Sequence, residues 1–219
     1  PAQYVPVDIS RDFLIDSVTR LQQRFPQIDM TPLGLDFSSG FALPDSVRQR
    51  RRLFFYPGSS IGNFSPEQAK VFLRGLHANA GDDGGLLIGV DLVKDGAVLD
   101  AAYDDAIGVT AAFNLNMLRH VNHLIGADFD VRQWRHHAFF NAAQSRIEMH
   151  LEARDVLTVR WPRRERRFAR GERIHTEDSY KYTRQSFVGL LEQAGFATNR
   201  VWTDAANWFA VIHARAIPN

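Results

Sequence analysis

Two carboxylates, Asp8 and Asp36, stand at the ends of segments that read as β-strands. A carboxylate in that position accepts both hydroxyls of a ribose or an exocyclic amine, and its plainer use is to cap the helix that follows. The loop Gly58-Ser59-Ser60-Ile61-Gly62-Asn63 joins a strand to a helix, and its two glycines let a ligand approach the backbone closely. It lacks the Lys-Ser/Thr pair of a phosphate loop and does not fit GxGxxG, so alone it says little more than a tight turn. Polar residues follow the fourth predicted strand, in Asp91-Leu92-Val93-Lys94-Asp95 and in Ala102-Tyr103-Asp104-Asp105. The rim of a site would lie there, although composition alone favours a solvated loop and helix face. The segment Thr176 to Tyr182 concentrates donors and acceptors. If it is extended, Glu177 and Ser179 share one face and can grip a cationic or hydrogen-bonding ring, as an exposed edge strand also would look.

Several other chemistries are excluded. The 219 residues include no cysteine, which removes disulfides, thiolate zinc sites, iron–sulfur ligation and cysteine nucleophiles together and fits a cytoplasmic protein. His120 and His123 sit three apart on a predicted helix without an HExxH motif, and the adjacent His136 and His137 point to opposite faces of a strand, so no metal is expected. The arginine-rich stretch Arg160 to Arg173 carries Trp161 and Phe168 but is interrupted by Glu165 and Glu172, which favours a solvated hairpin over nucleic-acid binding. Lys+Arg number 26 against 25 Asp+Glu, a formal charge of +1 that draws the chain to neither nucleic acid nor acidic membranes. No apolar run approaches the ~20 residues that span a bilayer. The longest, Gly84 to Val93, already contains Asp91.

These residues need a scaffold, and the pattern supplies an α/β one. With 45% hydrophobic and 23% charged residues, the chain folds around a buried core. A strand over Tyr4 to Val7 leads into a helix capped by Ser10, with Phe13, Leu14, Val18 and Leu21 at helical spacing until Phe25-Pro26. A second strand fits Ile28 to Phe37, interrupted by Pro32, and a buried third covers Arg52 to Tyr56. Ser65-Pro66-Glu67 starts a helix to about Ala80, and the strand Leu86 to Val90 follows. Strand, helix, strand, strand, helix, strand implies a parallel sheet with ligands at the carboxyl ends of its strands. Two helical stretches around Gly108 and a β-rich region from Trp134 to Thr183 then interrupt the pattern. A helix from Arg184 to Ala194, ended by Gly195, and strands over Asn199 to Thr203 and Trp208 to Ala214 restore it. The expected organisation is an α/β domain of residues 1–95 and 184–219 with an inserted α+β subdomain, residues 96–183, that binds substrate.

Taken together, YVPVDIS, LDF, GSSIGNF, GVDLVKD, AAYDDAIGVTAAFNLN, RIEMHLEA and TEDSYKY resemble the histidine-specific, S-adenosylmethionine-dependent methyltransferases. The likeness covers essentially the whole chain in order. The best-known activity of that family trimethylates the α-amino group of histidine to hercynine in ergothioneine synthesis. The resemblance implies a Rossmann-like methyltransferase sheet and S-adenosylmethionine as cofactor. It places Asp8 on the ribose hydroxyls and Asp36 with Phe37 on adenine. Gly58 and Asn63 fall near the donor and the substrate's amine and carboxylate, Tyr103 on the carboxylate, Glu177 and Ser179 on the imidazole, and Met149 in the wall of that pocket. Asn63 and Tyr103 then stand nearest the reacting amine, with water relayed beside them as the candidate proton acceptor.

The family also carries an N-terminal helical region and a first strand with a glycine-rich donor loop, and the sequence starts at what resembles the second strand. The expectation is an incomplete sheet whose first strand is missing, with an open edge that leaves room for homo-oligomers. The alternatives are a methyltransferase for another amino acid and a catalytically incomplete binding module. Met149, Glu177 and Ser179 together favour L-histidine as the small-molecule substrate, because a buried carboxylate with no ring N–H to accept from is left unpaired.

Overall fold

The computed structural model describes residues 1–36 and 42–218. In chain order the first half forms β1 (Gln3–Tyr4), β2 (Val7–Asp8), α1 (Arg11–Arg24), β3 (Asp29–Met30), β4 (Leu33–Gly34), β5 (Leu53–Tyr56), α2 (Pro66–Ala80) and β6 (Gly85–Asp91). There follow α3 (Gly96–Tyr103), α4 (Val109–Ile125), β7 (Trp134–Asn141), β8 (Arg146–Ala153), β9 (Leu157–Trp161), β10 (Arg164–Phe168) and β11 (Arg173–Tyr180). The chain closes with α5 (Arg184–Gln193), β12 (Phe196–Thr203) and β13 (Phe209–Ala216). Its contacts divide it into two units: Pro1–Ser60, Ser65–Val90 and Thr183–Asn219 form one, and Ile61–Phe64 with Asp91–Tyr182 form the other.

In the first unit β6 and its neighbours make a four-stranded sheet in the order β12-β13-β6-β5. The sequence GLLIGVD of β6 is apolar on both faces because the strand is interior, and Leu86, Ile88 and Val90 are fully buried. Gly89 is required by packing, since a Cβ there would collide with the carbonyl oxygen of Pro57 and lie 2.7 Å from the ring of Phe209. The helix α2 begins with a capping box: Gln68 N donates to Ser65 Oγ at 3.3 Å, and Ser65 N donates to Gln68 Oε1 at 2.9 Å. Such a cap stabilises a helix by about 0.5 to 2 kcal/mol. Its buried residues, Ala69, Phe72, Leu73, Leu76 and Ala80, repeat at helical spacing.

Burial differs from expectation at two elements of this unit. The strand β5 is not buried on both faces: Leu53 is 58% and Phe55 66% exposed, because alternate side chains of a strand face opposite ways and the face that carries these two is open among the described residues. In α1, Leu14 and Val18 are buried but Phe13 is 68% exposed, since neighbours on a helix point about 100° apart and only one of Phe13 and Leu14 can face inward. The remaining strands of the unit pair in parallel as β1 with β3 and β2 with β4, the latter with Asp8 opposite Gly34.

The second unit is built on the antiparallel sheet β11-β8-β7 and the hairpin β9-β10. Trp134, Leu151, Val159 and Phe168 form one core cluster with Leu118 of α4, and Leu99 of α3 joins Ala138, Ile147 and Met149 in another. Trp134 meets Phe168 edge to face at 5.0 Å. The helix α4 starts after Gly108, whose φ of 79° is left-handed, and Asp105 accepts from the amides of Val109 and Thr110 at 2.9 and 2.8 Å. Those two donors hold its carboxyl at about 2. The unit therefore divides from the first after Val90 and after Tyr182, and it takes in residues 61–64 as well.

Candidate functional site

The first unit presents carboxylates at strand ends. Asp8 closes β2, half-buried, and its Oδ1 accepts from Ser10 N at 2.7 Å. The expected helix cap is thus displaced: the Ser10 side chain makes no capping bond, and Asp8 itself braces the turn. Asp36 follows β4 by two residues and is exposed, at the same end of the parallel β2-β4 pair as Asp8. Phe37 lies outside the described residues. Gly58 follows β5 and is exposed, and a Cβ there would meet nothing nearer than Ser60 Oγ at 3.8 Å, so its backbone is open to a ligand. Strand-end carboxylates that accept from hydroxyls and an amine, with an open glycine turn, fit the nucleoside end of S-adenosylmethionine.

The second unit gathers the other predicted residues. The strand β11 runs against β8 with Glu177 opposite Met149 and Ser179 opposite Ile147, and β7 brings Ala138 against Met149 from the far side. A register shift between His175 and Glu177 sets this phase. Glu177 and Ser179 therefore share a face beside Met149, which is 4% exposed. Burial pushes the Glu177 carboxyl above its ordinary range, and the Lys181 ammonium pulls it back. Tyr103, the last residue of α3, reaches Ser179 Oγ with its hydroxyl at 2.9 Å. Its backbone is pinned from the sheet. Asn114 donates to His136 Nδ1 at 3.0 Å and to the carbonyl of His150, so the ring proton sits on Nε2, which donates to the Tyr103 carbonyl at 2.8 Å.

Asn63 is exposed in a 3-10 turn, Ser60–Asn63. The preceding Gly62 packs so tightly on β11 that a Cβ would lie 2.9 Å from the Tyr180 carbonyl oxygen and 3.5 Å from Ser179 Oγ. That contact brings the turn against the strand end that carries Ser179.

Asp91 and Lys181 join the group although the sequence reading left Asp91 to a solvated loop and did not single out Lys181. Lys181 is buried, its side chain 1% exposed, and its Nζ donates to Asp91 Oδ2 at 2.8 Å, Tyr103 Oη at 2.7 Å and Ser179 Oγ at 2.9 Å. Asp91 Oδ1 accepts from Lys94 at 2.6 Å. The available signal was compositional: Lys70, Lys94 and Lys181 are the chain's three lysines among 26 Lys+Arg, and two of them grip one carboxylate. Asp95, in the same loop, caps α3 by accepting from Ala97 N at 2.8 Å.

The opposite face of this sheet carries a row of histidines. His137, His150 and His175 are cross-strand neighbours, and His150 stacks on His175 at 4.6 Å. Glu148, His150 and His175 bring possible ligand atoms within 4.8 Å of one another. Tetrahedral zinc needs donors about 3.4 Å apart. Here Glu148 Oε1 already accepts from Arg146 and Asn141, and His175 Nε2 lies 2.9 Å from Asp178 Oδ1, so hydrogen bonds within the sheet face occupy one ligand atom each of Glu148 and His175.

The architecture is the Rossmann-like α/β fold of S-adenosylmethionine-dependent methyltransferases. The CcbJ methyltransferase of Streptomyces caelestis superimposes with a TM-score of 0.52 at 11% identity, over 97% of this chain and 74% of that one. Residues 1–216 match the profile of the histidine-specific, S-adenosylmethionine-dependent methyltransferases, and the chain belongs to that family. The histidine N-alpha-methyltransferase of Mycobacterium tuberculosis is 38% identical over 211 residues, 95% of this chain and 65% of the relative. Its Mycolicibacterium smegmatis counterpart is 37% identical over the same shares. The chain thus spans about 65% of the length of these curated relatives. Among the described residues, no helix is long and apolar enough to cross a membrane.

Proposed function

We propose that this chain carries the residues with which an S-adenosylmethionine-dependent N-methyltransferase binds L-histidine and methylates its α-amino group toward hercynine. The observation that carries the reading is the convergence of Met149, Glu177, Ser179 and Tyr103 within one packed unit of a chain whose family is histidine-specific. S-adenosylmethionine supplies a methyl on a sulfonium, transferred by in-line displacement to a neutral amine. Asp8 and Asp36 are the acceptors for its ribose and adenine, and Gly58 gives it backbone room.

Glu177, as a carboxylate, accepts the imidazole N–H, and Ser179 donates to the other ring nitrogen. Met149 walls the ring with a polarizable apolar side chain. Tyr103 donates to the substrate carboxylate and Asn63 holds the amine end. The contribution of these groups is alignment and exclusion of water, which can lower a barrier by up to about 7 to 11 kcal/mol without any covalent residue. The raised Glu177 carboxyl is consistent with a site that stabilises the anion fully once a ring N–H arrives.

Calorimetric titration with S-adenosylhomocysteine and then with histidine or tryptophan tests the proposal. Histidine should bind the loaded protein and tryptophan should not, and Glu177→Gln should weaken histidine by about 10- to 100-fold through loss of a charge-assisted bond. Equal affinity of wild type and Glu177→Gln for histidine would remove Glu177 from the site. Tryptophan binding as tight as histidine would reassign the substrate.

A further inference from the structure

We infer that Lys181 is a positioning residue that lets Tyr103 and Ser179 donate to the substrate at the same time, and so sets the preference for an imidazole ligand that also carries a carboxylate. The inference deepens the proposed histidine site and rests on it. An ammonium has three N–H donors, and Lys181 spends them on Asp91 Oδ2, Tyr103 Oη and Ser179 Oγ. Both hydroxyl oxygens are therefore acceptors toward lysine. Each retains one hydrogen, and the contact of 2.9 Å between them consumes only one of the two. Among the described residues the other hydroxyl hydrogen has no acceptor.

The consequence follows from counting. A ligand with a single acceptor takes that spare hydrogen and leaves the Tyr103–Ser179 bond in place. One with two acceptors, a carboxylate and an imidazole nitrogen, takes both, and the hydroxyl oxygens remain satisfied because Lys181 still donates to each. Without the ammonium, turning both hydroxyls outward would leave the buried Ser179 oxygen and the half-buried Tyr103 oxygen with no donor. A tetrahedral ammonium suits three divergent acceptors, whereas the planar fork of arginine does not, which accounts for a lysine in a chain otherwise dominated by arginine. Asp91, bridging Lys181 and Lys94, fixes the direction of the ammonium, so that its N–H groups polarise both hydroxyls and strengthen the bonds they donate to a carboxylate.

Histidine and histamine share the imidazole and differ in the carboxylate, so their relative affinity reads the device. With S-adenosylhomocysteine present, wild type should prefer histidine. Lys181→Met should reduce that preference by about tenfold or more while changing S-adenosylhomocysteine affinity by less than about twofold. Tyr103→Phe should reduce it similarly, and the double variant no further, because lysine acts through the tyrosine hydroxyl. Additive losses, or an undiminished preference in Lys181→Met, overturn the inference, whereas failure of wild type to bind histidine at all refutes the proposed function instead. Because Lys181→Met breaks the ion pair between Lys181 and Asp91 and could unfold the protein, wild type labelled with 15N-lysine gives a second reading. Histidine should shift the solvent-protected ammonium resonance and histamine should leave it nearly unmoved; equal shifts, or none with histidine, overturn the inference.

Discussion

Replacing Gly62 by alanine adds one carbon at a place with no room for it. The new Cβ would stand 2.9 Å from the Tyr180 carbonyl oxygen, against an ordinary contact of 3.4 Å or more, so the turn and strand must part by about 0.5 Å. The obstacle is backbone, and it cannot swing aside as a long side chain would: Tyr180 is held in register with Arg146 and its carbonyl belongs to β11. Overpacking of this kind costs about 1 to 3 kcal/mol. At roughly 2 to 4 °C per kcal/mol for a chain of this size, the melting temperature should fall by about 2 to 12 °C. The displaced turn carries Asn63, and the strand end carries Ser179, so histidine affinity should fall together with stability while S-adenosylhomocysteine binding is little changed. Differential scanning calorimetry and titration measure both. Gly75→Ala is the internal contrast: no atom lies within 4 Å of its added Cβ, in the middle of α2, and it should stabilise by about 0.5 to 1 kcal/mol through helix propensity. A Gly62→Ala protein with unchanged melting temperature and full histidine affinity would falsify the claim that this contact sets the site.

Asp8→Asn keeps an oxygen for Ser10 N and should leave the fold intact, yet lose about 10-fold or more in S-adenosylhomocysteine affinity by removing the proposed charged acceptor for ribose; isothermal titration beside a melting curve separates the two effects. Asp105 is held at about 2 by the amides of Val109 and Thr110, below its ordinary 3.8. Its contribution to α4 is therefore complete above about pH 5. It is lost as pH falls through 3.8 toward 2. The difference in urea midpoint between wild type and Asp105→Ala should be constant at neutral pH and shrink across that window, and a difference that grows on acidification would contradict the assignment.

Local chemistry was legible along the chain because it depends on near neighbours. Ser65-Pro66-Glu67 announces the start of α2, Gly108 divides α3 from α4, and the apolar run Leu86 to Val90 marks the strand β6, each through backbone or periodicity rules that need no distant partner. Alternation likewise put Glu177 and Ser179 on one face before any fold was known. Where the rules depend on what lies across the molecule, they failed: Phe13 and the outer side of β5 look as apolar as core residues, and only the packing of the folded chain shows that they face outward.

The sequence by itself determined the alternation of strands and helices, the strand-end carboxylates and, through its motifs, the family. The tertiary structure decided which polar residues act together. Asp91 and Lys181 stand 90 positions apart and meet because β6 ends beside the segment that leaves β11, where Leu92 bridges to Tyr182. Burial then turns an unremarkable aspartate and lysine into a fixed pair whose donors reach Tyr103 and Ser179. No local pattern encodes that meeting, because hydrogen-bond partnership depends on distances of a few ångströms that only the folded chain defines.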